Sequence, residues 1–253
     1  MERQGRPVPR DFREQEPTDG DLDPPVAGRV ARRACCLAAV ALRGLAATWS
    51  LEEQRDFLPS LGEWFDQSGM EAEIEPGELE VIRIPAGELD EQGLVNACWR
   101  WEGAAVLAAS LGRFALPPHD QTVDTQACGK ACGLLQSRSD LEHLTQSAAF
   151  APGFNRFRYA NQVLSIHWRL RQHFTNGSEH LNFAAYAKGV EWADFNLDGV
   201  SLVDADLAIH GVPIAQADEG SVRMTSSIAT ERHIAANWLI GWSETYSEVE
   251  IPT

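Results

Sequence analysis

Two glutamates set inside apolar helical stripes are the residues whose spacing best suits acid-base chemistry. The stripe Val95, Trp99, Glu102, Val106, Ala109 advances by four, three, four and three residues, so Glu102 shares a helix face with a tryptophan. The stripe Met224, Ile228, Glu231, Ala235, Trp238, Trp242 repeats the pattern near the C-terminus. A carboxylate taken out of water costs several kcal/mol unless it is paired, so each glutamate predicts an arginine, a histidine or a raised pKa beside it. Arg100, Arg232 and His233 lie close in sequence, and a third stripe, Phe157, Leu164, Trp168, Arg171, brings Arg171 and its neighbour His167. Around a pocket, Glu102 and Glu231 with Arg100, Arg232 or His167 are catalytic candidates. Without a pocket they are an ion network that fixes helix register. The second reading carries more weight, because no nucleophile, metal set or glycine-rich loop accompanies these residues and no GxSxG, HExxH or GxGxxG occurs.

Two metal patterns also present themselves. Asp194-x-Asn196-x-Asp198-Gly199 opens like an EF-hand calcium loop, with glycine at position 6. Position 9 is then Leu202 and position 12 is Ala205, while Asp204 and Asp206 straddle the place of the bidentate acid. Val200 to Val203 alternates like a strand where a helix should follow, so the stretch predicts an acidic, Asx-stabilised turn rather than an ion site. For zinc, His119, Cys128, Cys132 and His143 are near one another in sequence, but only the cysteines form a pair, and on a helix both would share one packing face. Cys128-Gly-Lys-Ala-Cys132 lacks the earlier glycine and the later hydroxyl of a phosphate loop. No metal and no cofactor is assigned.

The bulk numbers bound the remaining classes. The 253 residues carry a net charge of −16, from 21 basic and 37 acidic side chains, which argues against nucleic acid and anionic membranes; it would attract a basic protein partner or a cation, and it also serves simply to keep the chain in solution. Five cysteines without a secreted-scaffold spacing fit a reducing, cytoplasmic setting. Arg32 and Arg33 precede the apolar run Ala34 to Leu42 as a signal peptide's charged region would, but Arg43 ends the run and an acidic stretch precedes it. It reads as a buried helix.

The elements that must hold these residues follow from period and punctuation. Residues 1–25 are polar, charged and rich in proline, and predict a disordered leader; residues 26–253 predict one mostly helical domain. Helices are expected over Val26–Thr48, from the capping box Ser50/Glu53 until Pro59 ends or kinks it, and from Asp90 to Gly112. Further helices are expected over Thr122–Leu135, from a box at Ser139/Glu142, from Phe154 to Asn176, and from Asp218 to Gly241. Trp64–Glu88 reads as a loop with an edge strand at Leu79–Ile84, and Phe183–Ile214 as alternating, with strands at Val200–Val203 and Leu207–Ile209 closed by Gly211-Val212-Pro213. The expected class is mainly α (α+β): a multi-helix bundle with a small β-hairpin or sheet inserted before the C-terminal helix.

Three motifs together carry a resemblance. They are Asn96-Ala-Cys-Trp99-Arg100-Trp-Glu102, then Phe157-x-x-x-Asn161-x-x-x-Ser165-Ile-His167-Trp168-Arg169, and Glu231-Arg232-His233-x-Ala-x-Asn237-Trp238-Leu239-Ile240. With the segment Leu197 to Ile214, they resemble the bacterial domain-of-unknown-function family 4272 over residues 28–253. The resemblance implies a mainly helical domain in which the acidic turn is a scaffold element, and it brings no activity and no catalytic residues. The function expected is a non-catalytic acidic domain acting through protein-protein interaction. The alternatives are an enzyme of unassigned class using Glu102 and Glu231, and a calcium-responsive module using Asp194, Asn196 and Asp198.

Overall fold

Small residues decide where the first helix goes. The computed structural model describes residues 23–177 and 179–251, so most of the expected leader lies outside the described residues. Helix α1 (Ala27–Ala46) is alanine-rich and buried along most of its length. At Gly44 an added Cβ would sit 2.7 Å from the Cβ of Ala97 and 2.9 Å from the Cys98 nitrogen, both on α4 (Glu91–Ser110). Only glycine permits that approach of the two backbones. From Trp101 to Ser110 every residue of α4 is buried, as suits a helix enclosed on all sides. The chain continues through α5 (Thr125–Ala131), α6 (Arg138–Gln146), α7 (Arg156–Asn176) and α8 (Phe183–Gly189), and returns in α9 (Glu219–Leu239). The four long helices pack in the order α1, α4, α9, α7. Cys35, Cys36, Cys128 and Cys132 are all buried free thiols, and burial pushes the Cys35 thiol up to about 12.

Side-chain caps set most of the boundaries. Ser50 and Glu53 form the expected box on α2 (Leu51–Ser68), while Asp90, Asp124, Asn155 and Asp218 cap the helices that follow them. Helix α2 runs on through Pro59 to Ser68; Pro59 is exposed, and its missing N–H falls on the wet side. The expected edge strand at Leu79–Ile84 is instead α3 (Pro76–Arg83). Glu75 and Glu78 exchange backbone bonds in a capping box and Pro76 occupies the first turn, which outweighs the strand preference of Val81 and Ile82. Helix α6 starts two residues before the expected box, because Ser137 takes the cap and bonds Asp140. Phe183–Gly189 is a short helix capped by Asn182, not an alternating strand. Within the expected leader, Pro25 is buried, and the Asp23 and Pro24 backbone lies against Gly241, where an added Cβ would come within 2.6 Å.

Before α9 the chain makes a three-stranded antiparallel meander, β1 (Leu202–Val203), β2 (Asp206–Ile209) and β3 (Val212–Pro213). Val203 pairs Asp206 and Ile209 pairs Val212, so each turn has two central residues. Asp204 (φ 52°) with Ala205 (φ 64°), and His210 (φ 49°) with Gly211 (φ 82°), adopt the doubly left-handed backbone that matches strand twist. Ala205 carries its Cβ in that conformation at a cost of about 1–2 kcal/mol. The architecture is mainly helical with a small sheet before the last helix. Ala205→Gly is therefore expected to raise stability by about 0.5–1 kcal/mol, read as a higher urea midpoint with an unchanged slope.

Candidate functional site

Both buried glutamates are paired, and the pairs are crossed. Helix α4 carries Arg100 and Glu102; α9 carries Glu231 and Arg232; each helix supplies one acid and one base to the other. Glu102 (2% exposed) accepts from Arg232 Nε at 2.9 Å and from the Val123 backbone N–H at 2.9 Å. Arg232 (5% exposed) places Nη1 on the carbonyls of Pro117 (3.1 Å) and Pro118 (3.3 Å). Its Nη2 donates to the Gln121 carbonyl at 2.9 Å and lies 2.9 Å from Glu102 Oε2. Four hydrogen bonds and the ion pair thus engage every nitrogen of the guanidinium, and the pair clamps the segment from Pro117 to Val123 onto both helices. The second pair, Arg100 Nη1 to Glu231 Oε2 at 3.1 Å, is more open, with side chains 26% and 14% exposed. Burial pushes the Glu231 carboxyl up, against the pull of the Arg100 guanidinium.

His167 and His233 meet each other instead of a carboxylate. Their Nδ1 atoms lie 3.1 Å apart, with rings edge to face at 5.4 Å between centroids. One ring donates and the other accepts, which requires the accepting imidazole to be neutral. Desolvation holds His167 down to about 4 and His233 down to about 3. The ends of the stripe Phe157, Leu164, Trp168, Arg171 do not face the core, whereas Trp168 stacks on Tyr186 and Phe183. Phe157 and Arg171 are exposed, and the buried side of α7 is Ala160, Val163, Ile166, His167 and Leu170. Val95 and Met224 are likewise exposed, although Val222 and Thr225 beside Met224 are buried.

The acidic turn is spent on structure. Asp206 is fully buried in a two-pronged bond to Arg169, 2.7 Å from Nε to Oδ1 and 2.7 Å from Nη2 to Oδ2. Its oxygens also accept from the backbone of Leu181 (3.0 Å) and Leu207 (2.8 Å), and these bonds hold its carboxyl below the usual range against the effect of burial. Asp198 bonds Arg158, and Asn196 closes an Asx turn onto the Asp198 N–H at 3.1 Å. Asp194, Asn196 and Asp198 are therefore not arranged round an ion. No group of three or more metal-ligating side chains occurs among the described residues.

The zinc candidates are not gathered either. Cys128 and Cys132 face α4, with their thiols 3.8 Å from the carbonyls of Trp101 and Ala104. His119 Nε2 is 2.7 Å from the Ala208 carbonyl on β2, while His143 lines a surface hollow with Arg113 and Asp140.

One further constellation escaped the periodicity argument. Buried Arg33 of α1 bonds Glu78, donates to the Glu73 carbonyl at 2.8 Å and lies 5.0 Å from the centre of the Tyr246 ring. Glu75 accepts from the Tyr246 N–H at 2.8 Å and from Ser247 at 3.2 Å, tying the end of the chain to α3. Arg33 stands beside Arg32 at the head of the apolar run Ala34 to Leu42, and nothing in the sequence separates the buried arginine from its neighbour.

Two clefts approach the crossed pairs. One, of 490 Å³, lies between α3, α4 and residues 245–248, with Arg100 in its wall; the other, of 330 Å³, lies beside Arg232. Neither Glu102 nor Glu231 lines them. No protein-family model, no curated protein and no solved structure matches the chain.

Replacing Glu102 by Gln leaves a buried, uncompensated guanidinium and is expected to cost roughly 2–5 kcal/mol of unfolding free energy. Glu231→Gln, at the more open pair, is expected to cost about 1 kcal/mol or less. Denaturant titration of the two variants measures the difference. The histidine pair adds an acid dependence: between pH 6.5 and 4 the unfolded chain binds protons that the two buried rings refuse, so stability falls as pH drops. Each ring contributes about 1.4 kcal/mol per pH unit in that window, and His167→Gln should flatten the slope by about that amount.

Proposed function

We propose that this chain is a non-catalytic, acidic helical domain that acts by binding a basic protein. The observation that carries the reading is the state of Glu102: its acceptors are occupied by Arg232 and Val123, and neither cleft reaches it. A general acid or base must reach the proton it transfers, and Glu102 is bonded inward to a helix and a loop. The same geometry counts against the alternative of an enzyme built on Glu102 and Glu231 with Arg100, Arg232 or His167. The bonds already made by Asn196 and Asp198 count against a calcium-responsive module. The resemblance to family 4272 fits a scaffold of this kind and adds no chemistry.

The charge distribution supports a basic partner and indicates where it would dock. Thirteen of the 37 acidic residues lie between positions 51 and 91, where Arg55 and Arg83 are the only basic ones. Some of these acids turn inward, as Glu73, Glu75 and Glu78 do toward α1 and residues 245–248. Glu52, Asp56, Glu63, Glu71 and Glu80 are exposed on α2, α3 and the loop between them. Like charges held this densely weaken the folded state unless opposite charge covers them, which favours an oppositely charged surface and rapid, salt-sensitive association.

The test is co-purification of the tagged chain with one basic protein from its native cells, followed by two charge-reversed variants. Lysine at Glu52, Asp56, Glu63, Glu71 and Glu80 is expected to lose that partner at low salt. Lysine at five exposed acids elsewhere, Glu142, Asp194, Asp204, Glu219 and Glu248, is expected to retain it. Equal retention by both variants, or a chain that purifies alone, sinks the reading.

A further inference from the structure

The 330 Å³ cavity beside Arg232 is built differently from the surface around it. Its walls come from α7, α9, the segment Leu116–His119 and the residues just after the acidic turn, and they are largely apolar: Leu116, Val163, Ile166, Val200, Ile228 and Ala229. The volume is within the ~300–1,000 Å³ range of small-molecule sites, and roughly twice the ~150 Å³ cavity that holds a single benzene ring. It has room for two fused rings. The acidic turn forms one side of the mouth, where Gly199 and Ser201 line the cavity while Arg158 and Gln162 of α7 bond Asp198. The turn that resembles a calcium loop is thus moored across an opening.

The polar atoms left over define what the cavity accepts. Arg232 reaches the wall, but its three nitrogens are engaged by Glu102 and by the carbonyls of Pro117, Pro118 and Gln121, and Glu102 balances its charge, so little is left to draw an anion. A ligand cation would face that guanidinium without a carboxylate of its own. His119 donates from Nε2 to the Ala208 carbonyl, so its neutral ring keeps a lone pair on Nδ1. Gln162 spends one amide N–H on the Asp198 carbonyl, which leaves its second N–H and the acceptor Oε1. The Tyr159 hydroxyl has no hydrogen-bond partner among the described residues, although burial holds it protonated, with its pKa raised to about 12. Acceptors on His119 and Gln162, a hydroxyl on Tyr159 and no unbalanced charge in an apolar pocket suit a neutral ligand that carries a hydrogen-bond donor.

We propose that this cavity binds a neutral, fused-ring aromatic small molecule bearing one hydroxyl or N–H donor. The site is independent of the partner surface on α2 and α3, since none of its lining residues belongs to those helices.

The probe set is 1-naphthol, indole, naphthalene, 1-naphthoate and 1-naphthylmethylammonium, applied to the full chain at pH 7.5. 1-Naphthol and indole are expected to raise the melting temperature by a few degrees at saturation and to show intermolecular NOEs to Tyr159, Ile228 and Ala229. Naphthalene is expected to bind about tenfold more weakly, and the two charged analogues not to bind. Ser201 is exposed at the mouth, so Ser201→Trp should fill the opening and abolish the shift for 1-naphthol. If that variant does not fold, the NOE map of the unaltered chain decides alone. The inference is overturned if neither neutral donor binds, if the contacts fall outside the cavity, or if 1-naphthoate binds as tightly as 1-naphthol.

Discussion

The crossed pairing of Arg100 and Glu102 on α4 with Glu231 and Arg232 on α9 is the constraint on which the centre of the molecule depends. Each helix presents one acid and one base, so sliding either helix by a turn separates both pairs at once. For the inner pair, separation would strand two charges in a dry interior, where each unpaired ion costs several kcal/mol. The penalty for misregister is therefore larger than the net stability that the pair contributes when formed. Arg232 extends the constraint from helices to loop, because it donates to the carbonyls of Pro117, Pro118 and Gln121 at once.

The same logic recurs at two other places, with different partners. Arg169 and Asp206 join α7 to β2 with both side chains fully buried, and the Leu181 and Leu207 N–H groups complete the carboxylate. Arg33 gathers Glu78, the Glu73 carbonyl and the Tyr246 ring, so the chain's last described segment closes over α1 and α3. Gly103 makes room for that closure, since a Cβ there would lie 2.4 Å from the Tyr246 hydroxyl. Charge in this protein is thus divided by location. Buried arginines are each matched to carboxylates or carbonyls that set the packing, while the excess of acid is left outside on α2 and α3.

That division bears on function through what it removes. Side chains that look catalytic by type and spacing, Glu102 above all, are withdrawn from solvent by their own partners. The surfaces that remain available are an acidic exterior and a cavity whose open polar atoms are neutral. The acidic turn contributes to the second of these as a wall, with its carboxylates directed to Arg158 and Arg169.

The sequence by itself determined the helical class, the small sheet before the last helix and most caps, because these follow from local period and from side chains bonding their own backbone within three or four residues. The two inner stripes also signalled that Glu102 and Glu231 needed basic partners, although other stripe positions such as Val95, Met224 and Phe157 proved exposed. Which partner went to which acid was decided only by tertiary structure. Arg100 and Arg232 are equally near in sequence, and the crossing arose from how α4 and α9 pack.

Local reasoning failed where two local signals competed. Val81 and Ile82 favour a strand, but the Glu75/Glu78 box with Pro76 fixed a helix, and packing of Ile82 beneath it settled the competition. The fate of Asp206 was likewise invisible, because its partner Arg169 is remote in the chain and only folding brings that guanidinium to the turn. Contacts between residues distant in sequence leave no period to read, and in this chain they decide whether a carboxylate is a ligand or a strut.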